Sequence, residues 1–195
     1  MDTDKHGLDK TKAKLRSEIR GVLNNLSPER RVADSAKVRA LLPRQPFWKA
    51  AATILFFAPL PNEVDIWPLL AEAVATGKIV ALPRFNLATG KYTASRVQHP
   101  QSEIVTGKFG IREPAANCAE IPLNRFDLVL VPGVAFDALG HRLGRGRGFF
   151  DRLLAEVGGA KCGVAFDEQI MNAVPAGKLD VRMNFVLTPT RCAET

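Results

Sequence analysis

Between Thr53 and Leu82 the hydrophobic pattern switches from strand to helix and back. Thr53-Ile54-Leu55-Phe56-Phe57-Ala58 is a short continuous apolar run, the pattern of a strand covered on both faces. Pro59 to Glu63 reads as a loop. Asp65 then reads as the cap of a helix running to about Thr76, with Pro68 tolerated in its first turn and Gly77 just past its end. Ile79-Val80-Ala81-Leu82 is the next strand, ended by Pro83-Arg84. Strand, helix and strand within about thirty residues form a βαβ unit, which demands a parallel sheet. Asp127 to Val131 reads as the central strand and Lys161 to Phe166 as another, with a helix from Phe149 to Val157 between them. Phe185-Val186-Leu187-Thr188 is the last strand expected. The fold class is therefore α/β, a mostly parallel open sheet flanked by helices.

The N-terminal part has a different period. From about Asp9 to Leu26, Leu15, Ile19, Val22, Leu23 and Leu26 form one apolar helical stripe. Lys12, Arg16 and Arg20 stand four apart on another face. They are either a solvated basic face or a cationic strip turned toward a shared anion. A second helix follows, with Ser27 as N-cap, Pro28 at the first position and Glu29 in the first turn. It runs to about Leu42 and stops before Pro43. These helices, residues 1–43, are expected to pack on one α/β domain covering residues 1–195. The apolar fraction of 46% is enough for a substantial core. Residues 85–125 are less regular, with Tyr92 to Val97 alternating like a half-buried strand and Phe109 to Pro114 reading as a turn and a short extended piece. Residues 167–183 read as a loop or short helix.

Chemistry concentrates in His141-Arg142-Leu143-Gly144-Arg145-Gly146-Arg147-Gly148-Phe149-Phe150-Asp151-Arg152. Glycines free the backbone to approach a ligand, and guanidinium forks match phosphate or carboxylate oxygens. The start of the following helix adds free N–H groups and the positive end of a dipole. Together they describe an anion site, most simply for polyphosphate; the alternative is an exposed turn with solvated arginines. The spacing is neither a Walker A loop nor a dinucleotide fingerprint. The loop follows the central strand, where open α/β sheets bind ligands.

Twenty-seven Lys and Arg against 20 Asp and Glu give a net charge of +7, which favours acidic partners. Nucleic acid is not expected, because aromatic residues are only 7% of the chain and no recognition helix or RNA platform is visible. Cys118, Cys162 and Cys192 are scattered, and an odd number argues for reduced thiols in a cytoplasmic protein. Ala50 to Leu60, the best apolar run, is about half the ~20 residues a membrane span needs.

Val131-Pro132-Gly133-Val134-Ala135-Phe136-Asp137 followed by Gly140 to Asp151 resembles the signature of the 5-formyltetrahydrofolate cyclo-ligase family. Further matching pieces come in order over nearly the whole chain. They are Lys12 with Leu15-Arg16, Pro59 to Glu63, Leu82-Pro83-Arg84, Phe109-Gly110-Ile111, Ala165-Phe166 with Glu168-Gln169, and Val186-Leu187-Thr188. The resemblance implies an ATP- and Mg²⁺-dependent closure of 5-formyltetrahydrofolate to 5,10-methenyltetrahydrofolate, with ADP and phosphate released. It implies small-molecule partners only, folate and ATP, and a monomer. By position, Lys12 and Arg16 resemble first-helix contacts to ATP phosphate. Arg142, Leu143, Gly144, Arg145, Gly146, Arg147, Gly148, Phe149 and Phe150 resemble the loop that holds ATP. Of these, Arg145, Gly146, Arg147, Gly148 and Phe149 would also abut the folate, together with Ala58 and Glu63, the latter resembling the carboxylate that receives the pterin. Arg145 resembles the catalytic guanidinium nearest the transferred phosphoryl, and Asp151 a magnesium ligand.

Three departures stand out. Phe149-Phe150 replaces the common Tyr-Tyr, Arg145 and Arg147 make the loop more basic, and Asn184 stands where an Asp, a second metal ligand, is expected. Asp180 is close enough in sequence to substitute for it. A folate- or nucleotide-binding relative without turnover is the alternative these departures raise.

Overall fold

The computed structural model describes residues 3–107, 110–146, 148–177 and 180–195, with side chains from Gly7 onward. The chain opens with α1 (Thr3–Asn24) and α2 (Pro28–Leu41). Helix α1 begins well before Asp9. Ile19 and Leu23 of its stripe are buried, with Leu15 and Leu26 packed beside them, but Val22 is 43% exposed, so the stripe is narrower than its sequence suggests. Helix α2 is capped as its sequence requires: Ser27 Oγ accepts from the Arg30 N–H at 3.2 Å, and Pro28 takes the first position. A 3₁₀ turn at Leu42–Arg44 and a short α3 (Pro46–Ala50) follow. Five residues carry too little periodicity to be read in advance.

The expected βαβ unit is β1 (Thr53–Leu55), α4 (Trp67–Ala75) and β2 (Ile79–Asn86), with β1 and β2 parallel. Asp65 Oδ1 accepts from the Trp67 N–H at 3.0 Å, and Gly77 takes φ 85° past the helix end. Strand β1 is shorter than its apolar run, although Phe56 and Phe57 continue into the core beyond it. Strand β2 is longer, running through Pro83 because it turns antiparallel onto β3 (Lys91–Val97). Its register with β1 stops at Ala81, so the missing N–H of Pro83 lies beyond the parallel ladder.

Next come α5 (Pro100–Glu103), β4 (Ile104–Thr106), β5 (Arg112–Pro114) and β6 (Glu120–Ile121). Then follow β7 (Leu128–Pro132), β8 (Ala135–Asp137), β9 (Arg142–Leu143), α6 (Phe149–Ala155) and β10 (Ala160–Val164). The chain closes with β11 (Ile170–Met171), β12 (Phe185–Leu187) and β13 (Cys192–Glu194). Among the described residues, eight strands form one sheet in the order β13-β12-β10-β7-β1-β2-β3-β6. The run from β12 to β2 is parallel, and antiparallel strands finish both ends. A smaller ribbon, β11-β8-β9, continues from the carboxyl end of β7.

The strand period of two divides β7 between two cores. Leu128 and Leu130 join Ile19, Val38 and Leu70 of α1, α2 and α4 on one face. Val129 and Val131 join Leu153 and Leu154 of α6 on the other. The glycine-rich loop lies between β9 and α6, just past the carboxyl end of the central strand.

Candidate functional site

Beyond the carboxyl ends of β1 and β7 lies a cavity of about 450 Å³, within the range of small-molecule sites. Phe57, Ala58, Leu60 and Glu63 form one wall, following β1. Pro83 and Tyr92 come from the β2–β3 ribbon, and Ile111, Arg112 and Glu113 from around β5. Pro132 and Gly133, then Gly144, Arg145, Gly148, Phe149, Phe150 and Asp151, close the side that the glycine-rich loop supplies. This is the ligand position general to open α/β sheets.

Buried polar groups fix the loop. Asp137 is 3% exposed; its Oδ1 accepts from the backbone N–H groups of Leu139 and His141, each at 3.0 Å. Its Oδ2 accepts from the Val174 N–H at 2.9 Å and lies 3.0 Å from His141 Nδ1. Burial opposes the charge of this carboxyl, but the bonds from Val174, His141 and Leu139 outweigh it and hold the pKa below the usual carboxylate range. Buried Gln169 donates to the carbonyls of Gly133 at 2.7 Å and Val134 at 3.2 Å, and accepts from the Phe166 N–H. It ties the end of β7 to the segment after β10.

Arg142, whose side chain is only 3% exposed, donates to the Pro132 carbonyl at 3.1 Å and pairs closely with Asp151 Oδ1. It reaches the cavity wall but spends its fork on the protein itself. Arg145 is the opposite case, 41% exposed. Its Nε and Nη2 donate to Glu63 Oε1 at 3.1 and 2.7 Å, and Nη2 also donates to Asn62 Oδ1 at 3.0 Å. Glu63 is only 8% exposed, and its Oε2 accepts from the Leu60 N–H at 2.9 Å. The pair therefore bridges the loop after β1 and the glycine-rich loop.

Helix α1 reaches the same loop. Arg16 Nε donates to the Gly144 carbonyl at 2.8 Å, and its guanidinium lies against Gly146, where φ is 101°. One turn earlier, Lys12 Nζ pairs with Asp180 Oδ2 at 2.5 Å. Burial pushes the Asp180 carboxyl up, but Lys12, the Gly177 N–H and the charge of Arg142 carry it below its usual value. One turn later, Arg20 lines the cavity, and its side chain has no hydrogen bond or ion pair among the described residues. Of this strip, Arg20 is the member on the cavity wall; Lys12 and Arg16 are engaged by the protein behind it.

The structure brings Ala58, Glu63, Gly144, Arg145, Gly148, Phe149, Phe150 and Asp151 together. Two of the expected site residues stand apart from this group. Leu143 is 1% exposed, its side chain in the core and its carbonyl bonded to the Val134 N–H, so it offers no side-chain contact to a ligand. Asn184 stands just before β12, its Oδ1 accepting from the Lys161 N–H at 2.9 Å. Lys161 lies at the start of β10, so Asn184 is at the amino ends of the parallel strands, away from Asp151, with its carbonyl oxygen already used. Arg147 lies outside the described residues. The sequence names Asp137 and Gln169 without giving them a role; the polarity of Asp137 at the end of an apolar strand is a visible signal, whereas Gln169, behind Asp167 and Glu168 in a 3₁₀ turn, carries none.

No group of three or more His, Cys, Asp or Glu converges among the described residues. Asp151, with Arg142 on one oxygen, leaves its second oxygen for a cation. Such a donor set suits Mg²⁺, which commonly takes one or two protein carboxylates and completes its shell with phosphate oxygens and water.

A family model described as the 5-formyltetrahydrofolate cyclo-ligase family matches residues 9–189. The 5-formyltetrahydrofolate cyclo-ligase of Escherichia coli K12 is 32% identical over 173 residues, covering 87% of this chain and 95% of that protein. The solution structure of Aquifex aeolicus 5,10-methenyltetrahydrofolate synthetase superposes with a TM-score of 0.86 at 33% identity, covering 94% of this chain and 92% of that one. The Mycoplasma pneumoniae synthetase shares the fold, with a TM-score of 0.72 at 20% identity over 91% of this chain and 98% of that one.

Proposed function

The chain belongs to the 5-formyltetrahydrofolate cyclo-ligase family, and on that premise we propose that it closes 5-formyltetrahydrofolate to 5,10-methenyltetrahydrofolate using ATP and Mg²⁺. An N-formyl group is an amide, a poor electrophile whose oxygen is a poor leaving group. Transfer of the ATP γ-phosphoryl to that oxygen releases ADP and gives an imidate phosphate. N10 of the folate then attacks the formyl carbon and loses its proton, the C–O bond breaks, and phosphate departs. Nothing in this sequence needs a protein nucleophile; positioning and charge suffice.

The observation that carries the reading is the cavity itself, a buried carboxylate and a guanidinium facing each other beside a glycine-rich loop. Glu63 is the acceptor for the N–H donors of the pterin. Ala58, Phe149 and Phe150 supply apolar surface for the flat ring. Arg145 is the guanidinium closest to the transferring phosphoryl, and Gly144 to Gly148 keep the backbone near the phosphates. Asp151 Oδ2 would hold Mg²⁺, which supplies positive charge to the phosphate oxygens as the phosphoryl moves. Arg142 orients Asp151, while Lys12 and Arg16 support the loop from α1, with Arg20 the member of that strip that reaches the ligand. The test follows the formyl oxygen: with ¹⁸O there, the phosphate released should carry the label. Unlabelled phosphate, with methenyl product formed, would exclude phosphorylation of that oxygen.

A further inference from the structure

Glu63 and Arg145 have been given separate tasks, the pterin and the phosphoryl, yet they are bonded to each other. Glu63 Oε1 receives both Nε and Nη2 of Arg145, and Oε2 receives the Leu60 N–H. A guanidinium presents two adjacent N–H donors to a carboxylate. The 2-amino and N3–H edge of a 2-amino-4-oxopteridine presents two adjacent N–H donors of the same geometry. Both therefore compete for the same carboxylate, which cannot serve two such forks while also holding Leu60.

From this we infer that Glu63 is a positioning residue for Arg145 as well as the pterin acceptor. Without folate, Glu63 and Asn62 hold the guanidinium off the phosphate site, with Arg145 occupying the slot of the pterin. An arriving pterin takes Glu63 and releases Arg145 toward the nucleotide. The exchange couples phosphoryl transfer to the presence of folate and suppresses transfer to water, in which ATP and water give ADP and phosphate. Both partners are suited to the exchange: Glu63 is fixed and nearly buried, while Arg145 is part-exposed on a loop flanked by Gly144 and Gly146, free to move. The inference rests on the proposed function.

The experiment measures ADP release from ATP and Mg²⁺ without folate, in the wild type, Glu63→Gln and Glu63→Gln/Arg145→Ala. It is repeated with 2-amino-4-oxopteridine, which has no formyl oxygen to accept a phosphoryl. Glu63→Gln should raise folate-independent ADP release about three- to tenfold, the range for loss of a part-exposed charge-assisted pair. The added Arg145→Ala should abolish the rise. The pteridine should stimulate the wild type and leave Glu63→Gln unchanged. Asn62→Ala, which keeps Glu63, should give a smaller rise in the same direction and serves if Glu63→Gln fails to fold. If the wild type forms methenyl product but Glu63→Gln shows no rise and the pteridine does not stimulate the wild type, the exchange is overturned while the proposed function stands. A wild type that forms no product would overturn both.

Discussion

Individual residues here divide into those that build the site and those free to act in it. Asp137 is a builder. Its carboxylate accepts from three backbone N–H groups and faces the His141 ring, so it organises the turn that delivers the glycine-rich loop. Its pKa is depressed by those bonds despite burial, which fixes the sign of its pH effect. The stabilisation is present above the unfolded-state pKa and is lost as pH falls through the lower folded value. Asp34, Glu103 and Asp180 are shifted in the same direction, so thermal stability should fall as pH drops below about 4. Asp137→Asn should cost about 1–3 kcal/mol at neutral pH, because a buried set of donors loses its anion. It should also flatten the acid limb of a melting-temperature profile between about pH 5 and 2. An unchanged acid limb would assign the pH dependence to the other carboxylates.

At the scale of elements, the close approach of the β8 ribbon to the sheet depends on the smallest side chain. A Cβ at Gly163 in β10 would stand 2.5 Å from the Phe136 ring, and Phe136 is fully buried. Gly163→Ala should therefore destabilise by about 1–3 kcal/mol through overpacking. Denaturant melts would check it, and a loss below a few tenths of a kcal/mol would mean that the ring moves aside freely. Neither that contact nor the β11-β8-β9 ribbon was visible beforehand, because two- and three-residue strands carry no period. The βαβ unit, β7, α6 and the capped α2 were legible, since each combines a clear period with a cap or a breaker. The extension of β2 through Pro83 was hidden because a proline signals an end unless the partner strand is known. The site was legible where its chemistry is local, in Arg142 to Asp151. The pairings of Arg145 with Glu63 and Lys12 with Asp180 join residues far apart in sequence, and only the fold could supply them.

Across the whole molecule, the parallel sheet sets the site and the flanking pieces converge on it. Helix α1 touches the glycine-rich loop through Arg16 and the C-terminal segment through Lys12 and Asp180. The loop after β1 reaches the same cavity from another side through Glu63. Ligands in such a cavity would meet groups drawn from most of the chain, and the family match likewise runs over residues 9–189. In the proposed function, this convergence performs ATP-driven ring closure. The most direct measurement follows methenyltetrahydrofolate by its absorbance, with purified protein, 5-formyltetrahydrofolate, ATP and Mg²⁺. Product should form only with ATP and metal, and Arg145→Ala should lower kcat/KM about 10- to 100-fold, the loss expected for a charge-assisted bond to the transferring group. No product from the wild type, with ATP and folate still bound, would contradict the account and mark the chain as a family member that binds without turnover.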